Sequence, residues 1–353
     1  LIDNKNSSYF GTAGAMVVMN CRTGAVLANV SLPTYDITRY FKDYNKLAAD
    51  TESPLWNRGV QSAYAPGSTM KPAISIAALE EEAADINTTC YCGGSYTLED
   101  QTFKCLQSHG YLNVTTALEK SCNIYFFEMG KKLGIDKMNK YCGLLGLGQK
   151  TGIELPEAEG VLASIANKEA AGQVWNPGDT VQAAIGQSDN LFTPLQLANY
   201  CATIANGGTR YQPYIIKSVL SSDMSEIVYE TQPTVINTLN VNKKNLDIVK
   251  QGMHQVIDDS CEIYFKDCIV DAAGKTGTSQ LNRTTEGGVS MKCNNGFFIS
   301  FAPYDNPEIA IAIVAENALS GSRTSQAAVP VYNYYFGQKT SVDTARIPNT
   351  LIG

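Results

Sequence analysis

The sequence has little positive charge, and none of it falls in runs. Its 353 residues hold 27 Lys and Arg against 34 Asp and Glu, a net charge of −7. Without a basic stripe, a nucleic-acid partner is not expected. Long apolar runs are missing as well. The longest, such as residues 309–315, fall far short of the roughly 20 apolar residues a membrane-spanning helix needs. No signal-peptide pattern, internal repeat or low-complexity tract stands out. Histidine is scarce, with only His109 and His254. The chain opens at Leu1 without Met, so it is expected to be trimmed, with an N-terminal anchor missing.

What is present suits one large or two intimate domains, since 44% of residues are hydrophobic. Ten cysteines are many for this length. Cys21, Cys142 and Cys201 sit singly in apolar or Gly-rich segments and read as small core residues. Cys90, Cys92, Cys105 and Cys122 group with His109. Cys261 and Cys268 make a looser pair, and Cys293 follows a polar loop. This is not the dense framework of a small secreted domain.

In chain order, residues 14–31 read as a β-hairpin around Arg22-Thr23-Gly24, and residues 33–60 as a polar surface segment. Pro66-Gly67 breaks the chain, and Ser68 opens a helix with an apolar face at Ile74, Ala77, Ala78 and Leu79, ending near residue 85. Residues 90–112 look irregular. Residues 115–133 look helical on both sides of Ser121-Cys122-Asn123. A Gly/Pro-rich loop at 143–165 and a broken helical stretch at 179–205 follow. Residues 210–240 hold alternating and turn-like pieces, and 246–257 an amphipathic helix that carries His254 without a partner pattern. Strands are expected at 272–280, 297–302 and 308–315, a mobile loop at 282–295, a closing helix at 325–336 and a frayed tail. This order predicts an α/β (α+β) fold. About five antiparallel strands from both chain ends pack with helices. The sheet would draw on roughly 10–60 and 265–340, and an all-helical subdomain on 65–260.

Three short motifs carry the chemistry. Lys71 follows Ser68 by three residues, which puts hydroxyl and amine on one helix face. A lysine can serve as the base for a serine nucleophile only when desolvation frees its lone pair. Alone this pattern arises by chance on the order of once in a chain this long. Its companions are Ser121-Cys122-Asn123 and Lys275-Thr276-Gly277-Thr278. Together they follow the Ser-x-x-Lys, Ser-Asp-Asn and Lys-Thr-Gly signature of penicillin-binding proteins and class A β-lactamases, with Cys122 standing where the signature has Asp. Two look-alikes compete. Lys150-Thr151-Gly152 leads into Glu154-Leu155-Pro156 and reads as a turn. Ser188-Asp189-Asn190 precedes Thr193-Pro194 and reads as a capping turn.

With these residues in order, the chain resembles the transpeptidase domain of a class B penicillin-binding protein of the elongation or sporulation type. Segments 14–30, 57–72, 146–156, 184–196, 204–208, 274–278 and 301–316 carry the likeness along nearly the whole chain. The resemblance implies Ser68 as acylated nucleophile, Lys71 as its base, Ser121 as proton relay and Asn123 as orienting group. Lys275 and Thr276 would hold the electrostatics and the substrate carboxylate with Thr278 assisting, Gly277 would leave room for the substrate backbone, and the backbone N–H groups of Ser68 and Thr278 would hold an oxyanion. It also implies peptidoglycan stem peptides as substrates and β-lactams as acylating inhibitors. A membrane glycosyltransferase partner, an extracytoplasmic location at the cell membrane, and a missing anchor and pedestal follow likewise. A serine β-lactamase, a DD-carboxypeptidase and a non-catalytic β-lactam sensor remain alternatives. Thr278-Ser279 departs slightly from the family's frequent Thr-Ala.

Cys122 within the second motif opens a further reading. Cys92, Cys105, His109 and Cys122 form a candidate Cys₃His zinc site. Some elongation-type relatives have an Asp, His and Cys ligand set in this region, and here Cys stands at each Asp position. Cys90 could replace Cys92. A Cys92–Cys105 disulfide or free buried thiols are the other possibilities.

Overall fold

The computed structural model describes residues 13–284, 290–318 and 320–342. One five-stranded antiparallel sheet organises it. Its strands are β1 (Ala13–Asn20), β2 (Val26–Leu32), β3 (Ala273–Thr284), β4 (Ser290–Ala302) and β5 (Ile309–Glu316). They lie in the order β3-β4-β5-β1-β2, so the two chain ends meet where β1 pairs with β5. This is the fold class read from the sequence.

Alternation of side chains puts successive residues of a strand on opposite faces. One face offers Val17, Met19, Phe297, Ile299, Phe301, Ala312 and Val314 to the helices of the chain's middle. The other offers Val18, Phe298, Ile311 and Ile313 to Val256, Phe265, Val329 and Tyr332. Strand β5 is covered on both faces, which explains its unbroken apolar run IAIAIVA.

Helix α1 (Lys71–Glu80) crosses the middle of the molecule. Nine of its ten residues are buried, Lys71 among them. A helix apolar all round belongs inside, and fully burying each of Ile74, Ile76 and Leu79 contributes roughly 1.5–3 kcal/mol. Around it lie α2 (Val114–Glu119), α3 (Asn123–Leu144), α4 (Pro194–Ala205) and α5 (Lys243–Asp258), with α6 (Ala328–Val342) closing the far face of the sheet. Tyr200 of α4 pins the start of α1: its hydroxyl accepts from the Ala73 N–H at 3.0 Å and donates to the Thr69 carbonyl at 3.2 Å.

Several expectations change. The middle of the chain is not purely helical. Residues 90–112 form two small sheets, pairing Cys90–Cys92 with Gly110–Leu112 and Ser95–Leu98 with Gln101–Lys104. Two further pairs join Thr209–Tyr211 to Val235–Thr238 and Ser218–Leu220 to Ile227–Glu230. These strands are three or four residues long, too short for alternation to be read. The segment 33–60 contains a helix at Tyr40–Ala48 with no buried residue. Residues 282–295 are mostly ladder, since β3 and β4 pair out to Thr284 and Ser290. Residues 285–289 and the tail from 343 lie outside the described residues. His254 is structural: it stacks on Tyr304, with ring centroids 4.4 Å apart, and contacts Asp271 at 2.9 Å.

Candidate active site

Ser68 sits in a short turn, Gly67–Met70, that runs directly into α1. The turn is held from two sides. The Gly67 N–H donates to the Gly186 carbonyl at 2.9 Å. On the other side the chain presses against β3. A Cβ at Gly67 would lie 2.7 Å from the Thr278 carbonyl oxygen, and the residue has φ +55°. Only glycine accepts both the close approach and that backbone. Ser68 is half-buried and lines a cleft of about 600 Å³ together with Ser121, Asn123, Thr276, Gly277 and Thr278. No hydrogen bond occupies its hydroxyl among the described residues.

The second motif bridges α2 and α3. Ser121 has φ +52°, a left-handed conformation that costs a non-glycine residue about 1–3 kcal/mol. That backbone turns its carbonyl onto the Lys71 amine at 2.7 Å. Asn123 Oδ1 accepts from the same amine at 2.8 Å, and Ser121 Oγ lies 3.3 Å from it. Lys275 opens the third motif on β3 and donates to Ser121 Oγ at 3.0 Å and to the Thr276 carbonyl at 3.1 Å. Ser121 Oγ therefore stands between two buried lysines.

Burial, reinforced by the Lys275 charge, holds Lys71 well below the ordinary lysine range. Burial brings Lys275 down to about 8. Three oxygens, the Ser121 carbonyl, Asn123 Oδ1 and Ser121 Oγ, fix the Lys71 amine in place, and the neutral form that burial favours carries a lone pair for a hydroxyl proton. The arrangement can take a proton from a serine and pass protons through Ser121, with Lys275 as the fixed cation.

The look-alikes are placed elsewhere. Thr151 and Gly152 wrap the Glu157 carboxylate, with Thr151 Oγ1 at 2.7 Å and the Gly152 N–H at 2.8 Å. Asn190 is fully buried and bonds only backbone groups, at Ala163, Ala183 and Gln187.

Beside the second motif lies the cysteine cluster. Cys92, Cys105, His109 and Cys122 bring their ligand atoms within 4.8 Å of one another. His109 Nδ1 is 3.3 Å from Cys92 Sγ and 3.6 Å from Cys105 Sγ, and Cys105 and Cys122 Sγ are 3.9 Å apart. A tetrahedral zinc with thiolate ligands has edges of about 3.8 Å, so the donor set fits that ion. A hydrogen bond from Cys122, the backbone N–H groups of Ile124 and Asn123, and nearby His109 hold Cys105 down to about 4. Its thiolate neighbour and burial push Cys122 up. The Cys105 sulfur accepts the Asn123 N–H at 3.2 Å, and Cys122 caps α3 by accepting the Tyr125 N–H at 3.5 Å. Cys90 stands outside the group. The nine described cysteines are all free, Cys261 and Cys268 included.

The sequence reading missed further residues here. Glu316 accepts from the Tyr64 hydroxyl at 2.8 Å and pairs with Arg58 at 3.1 Å, which ties the nucleophile segment to the end of β5. Gln182, Ser320 and Ser322 line the cleft. The Gly321 N–H donates to Thr278 Oγ1 at 3.2 Å. No spacing rule flags these residues, because their elements meet only in the fold.

The fold and the constellation define a class of protein: a helix-flanked antiparallel sheet whose cleft joins a serine-led helix to two buried lysines. The chain belongs to the penicillin binding protein transpeptidase domain family, whose model matches residues 14–335. It is 33% identical over 345 residues to peptidoglycan D,D-transpeptidase MrdA of Acinetobacter baumannii, covering 92% of this chain and 51% of that protein. Among solved structures it resembles Pseudomonas aeruginosa PBP2 in complex with WCK 5153, at 31% identity and TM-score 0.80, covering 92% of this chain and 73% of that one. It also resembles Helicobacter pylori PBP2 in complex with MreC, at 28% identity and TM-score 0.81, covering 92% and 60%. The chain thus spans about half the length of the curated relative. Among the described residues no helix is long and apolar enough to cross a membrane.

Proposed function

We propose that the chain is the catalytic domain of a serine DD-transpeptidase that cross-links peptidoglycan stem peptides and is acylated by β-lactams. The observation that carries this reading is Ser121 Oγ held between Lys71 and Lys275, at 3.3 and 3.0 Å. Lys71 takes the proton of Ser68, whose oxygen attacks the carbonyl of the penultimate D-alanine. The oxyanion is met by the backbone N–H groups of Ser68 and Thr278, whose segments pack together at Gly67. The C–N bond breaks, the proton returns through Ser121 to the leaving D-alanine amine, and an acyl ester remains on Ser68. The amine of a second stem peptide then attacks the ester and restores Ser68. Asn123 orients Lys71. Lys275, Thr276 and Thr278 hold the terminal carboxylate, and Gly277 leaves room for the peptide backbone.

Cys92, Cys105, His109 and Cys122 would hold a structural zinc. The ion would lock the 90–112 segment against α3 and fix Asn123 through its N–H contact with Cys105. The proposed setting is the outer face of a bacterial cell membrane, beside a glycan-polymerising partner. The likeness to a relative named as a D,D-transpeptidase supports this reading over a β-lactamase or a sensor. No carboxylate lines the cleft to activate a hydrolytic water among the described residues. Nitrocefin turnover tests the choice. A rate below about 1 s⁻¹, with D-alanine release from a stem-peptide mimic that rises when an acceptor amine is added, is expected. Faster nitrocefin turnover would make the protein a β-lactamase, and a failure to release D-alanine would make it a sensor.

A further inference from the structure

We propose that Lys104 is a specificity-determining residue of the cleft. It takes a second carboxylate of the donor peptide, one on the side chain of the residue preceding the D-alanyl-D-alanine end. The assignment rests on the transpeptidase reading above.

Lys104 ends the strand Gln101–Lys104, is exposed, and lines the same cleft as Ser68. Its backbone is fixed. The carbonyl accepts from Asn123 Nδ2 at 3.3 Å, and the Cys105 N–H that follows donates to the Gly94 carbonyl at 3.0 Å. The Asn123 side chain also accepts from Lys71 through its Oδ1, so one amide joins the root of Lys104 to the reacting centre, while its backbone N–H donates to the Cys105 sulfur. This root is as well placed as the catalytic groups, while the ammonium stays free to swing on a flexible stem.

Position along the cleft then assigns the ligand. A donor with its terminal carboxylate at Thr276 and Thr278 and its scissile carbonyl at Ser68 must run its preceding residue beyond Ser68. The cleft residues that belong neither to the three motifs nor to the segment around Gly321 that bonds Thr278 include Thr102, Lys104, Leu106, Gln182 and Gln187. Lys104 alone of these is charged. No Asp or Glu lines the cleft, and Lys104 enters no ion pair, among the described residues. A lone cation on a wall without acids favours an anionic side chain and disfavours a cationic one.

The test uses two D-alanyl-D-alanine peptides, identical except that the preceding residue bears a side-chain carboxylate in one and the carboxamide in the other. The readout is protection of Ser68 from labelling by a fluorescent penicillin. In the wild type the acid should halve the labelling rate at a concentration about fivefold lower than the amide, the size of a solvent-facing ion pair. Lys104→Gln should bring the two peptides together, and Lys104→Glu should reverse their order. Equal protection by both peptides in the wild type, no protection by either, or a preference that survives Lys104→Gln overturns the assignment. If the penicillin fails to label wild-type Ser68, the transpeptidase reading fails and the Lys104 assignment with it. Labelling without a donor preference removes Lys104 alone.

Discussion

The chain writes Lys-Thr-Gly twice, and the two copies do different work. At residues 150–152 the threonine hydroxyl and two backbone N–H groups close on the Glu157 carboxylate, an internal ligand only a few residues away. At 275–277 the tripeptide lies in β3, with Lys275 fully buried against Ser121 and the Thr276 side facing the cleft. Both copies suit a carboxylate, because Thr and Gly supply a hydroxyl and an approachable backbone. The first is satisfied within the fold and makes a turn. The second is kept open by a straight strand and can serve a substrate. The Ser-x-Asn pair repeats the lesson: Asn190 spends its amide on backbone groups, whereas Asn123 offers its oxygen to Lys71.

The largest effect should come from removing the lysine of each copy in turn. Lys275→Ala should slow acylation by benzylpenicillin about 10²–10⁴-fold, the range of a lost catalytic acid–base or charge partner. Lys150→Ala should leave it within about twofold. Stopped-flow acylation rates decide, and equal losses at the two sites would dissolve the contrast. Next come the asparagines. Asn123→Ala should slow acylation roughly 10²-fold with little change in melting temperature. Asn190→Ala should do the reverse, since unsatisfied buried groups cost about 1–3 kcal/mol each.

A smaller effect is expected at the cysteine cluster. Stripping zinc with a chelator, or Cys105→Ser, should slow acylation on the order of tenfold and lower the melting point. Less than about half an equivalent of zinc in the purified protein, or unchanged rates after chelation, would leave the cluster as plain thiols. The smallest effect is in pH. Lys275 titrates at about 8, below the ordinary lysine value, so its cation is present below that pH and is lost above it. Acylation efficiency should therefore fall above pH 8, and Lys275→Arg should remove that fall because arginine stays charged. A fall that persists in the Arg variant assigns the titration to another group.

Much of this was legible from residues alone. The five core strands declared themselves through long apolar or alternating runs, as in β1 and β5. Context separates the motifs from their copies, since turn chemistry surrounds Lys150 and Ser188, and the structure puts Ser121 and Thr276 on the Ser68 cleft. The clustering of Cys92, Cys105, His109 and Cys122 was also legible, from their grouping and from the family resemblance. What was not legible depends on the fold. Ser121's left-handed backbone carries no residue signature, because serine usually avoids it. The 95–104 hairpin is too short for periodicity to show. Glu316 lies 252 positions from Tyr64, and only the sheet brings them to 2.8 Å. Lys104 carries no sequence signature either, because only the fold brings its carbonyl to Asn123 Nδ2.

The most direct measurement is intact-protein and peptide mass spectrometry after incubation with benzylpenicillin. One drug equivalent on Ser68, stable over minutes and absent from Ser68→Ala, is the expected result. No adduct on the wild type, or an adduct that persists in Ser68→Ala, would contradict the assignment of Ser68 as the nucleophile and the transpeptidase chemistry built upon it.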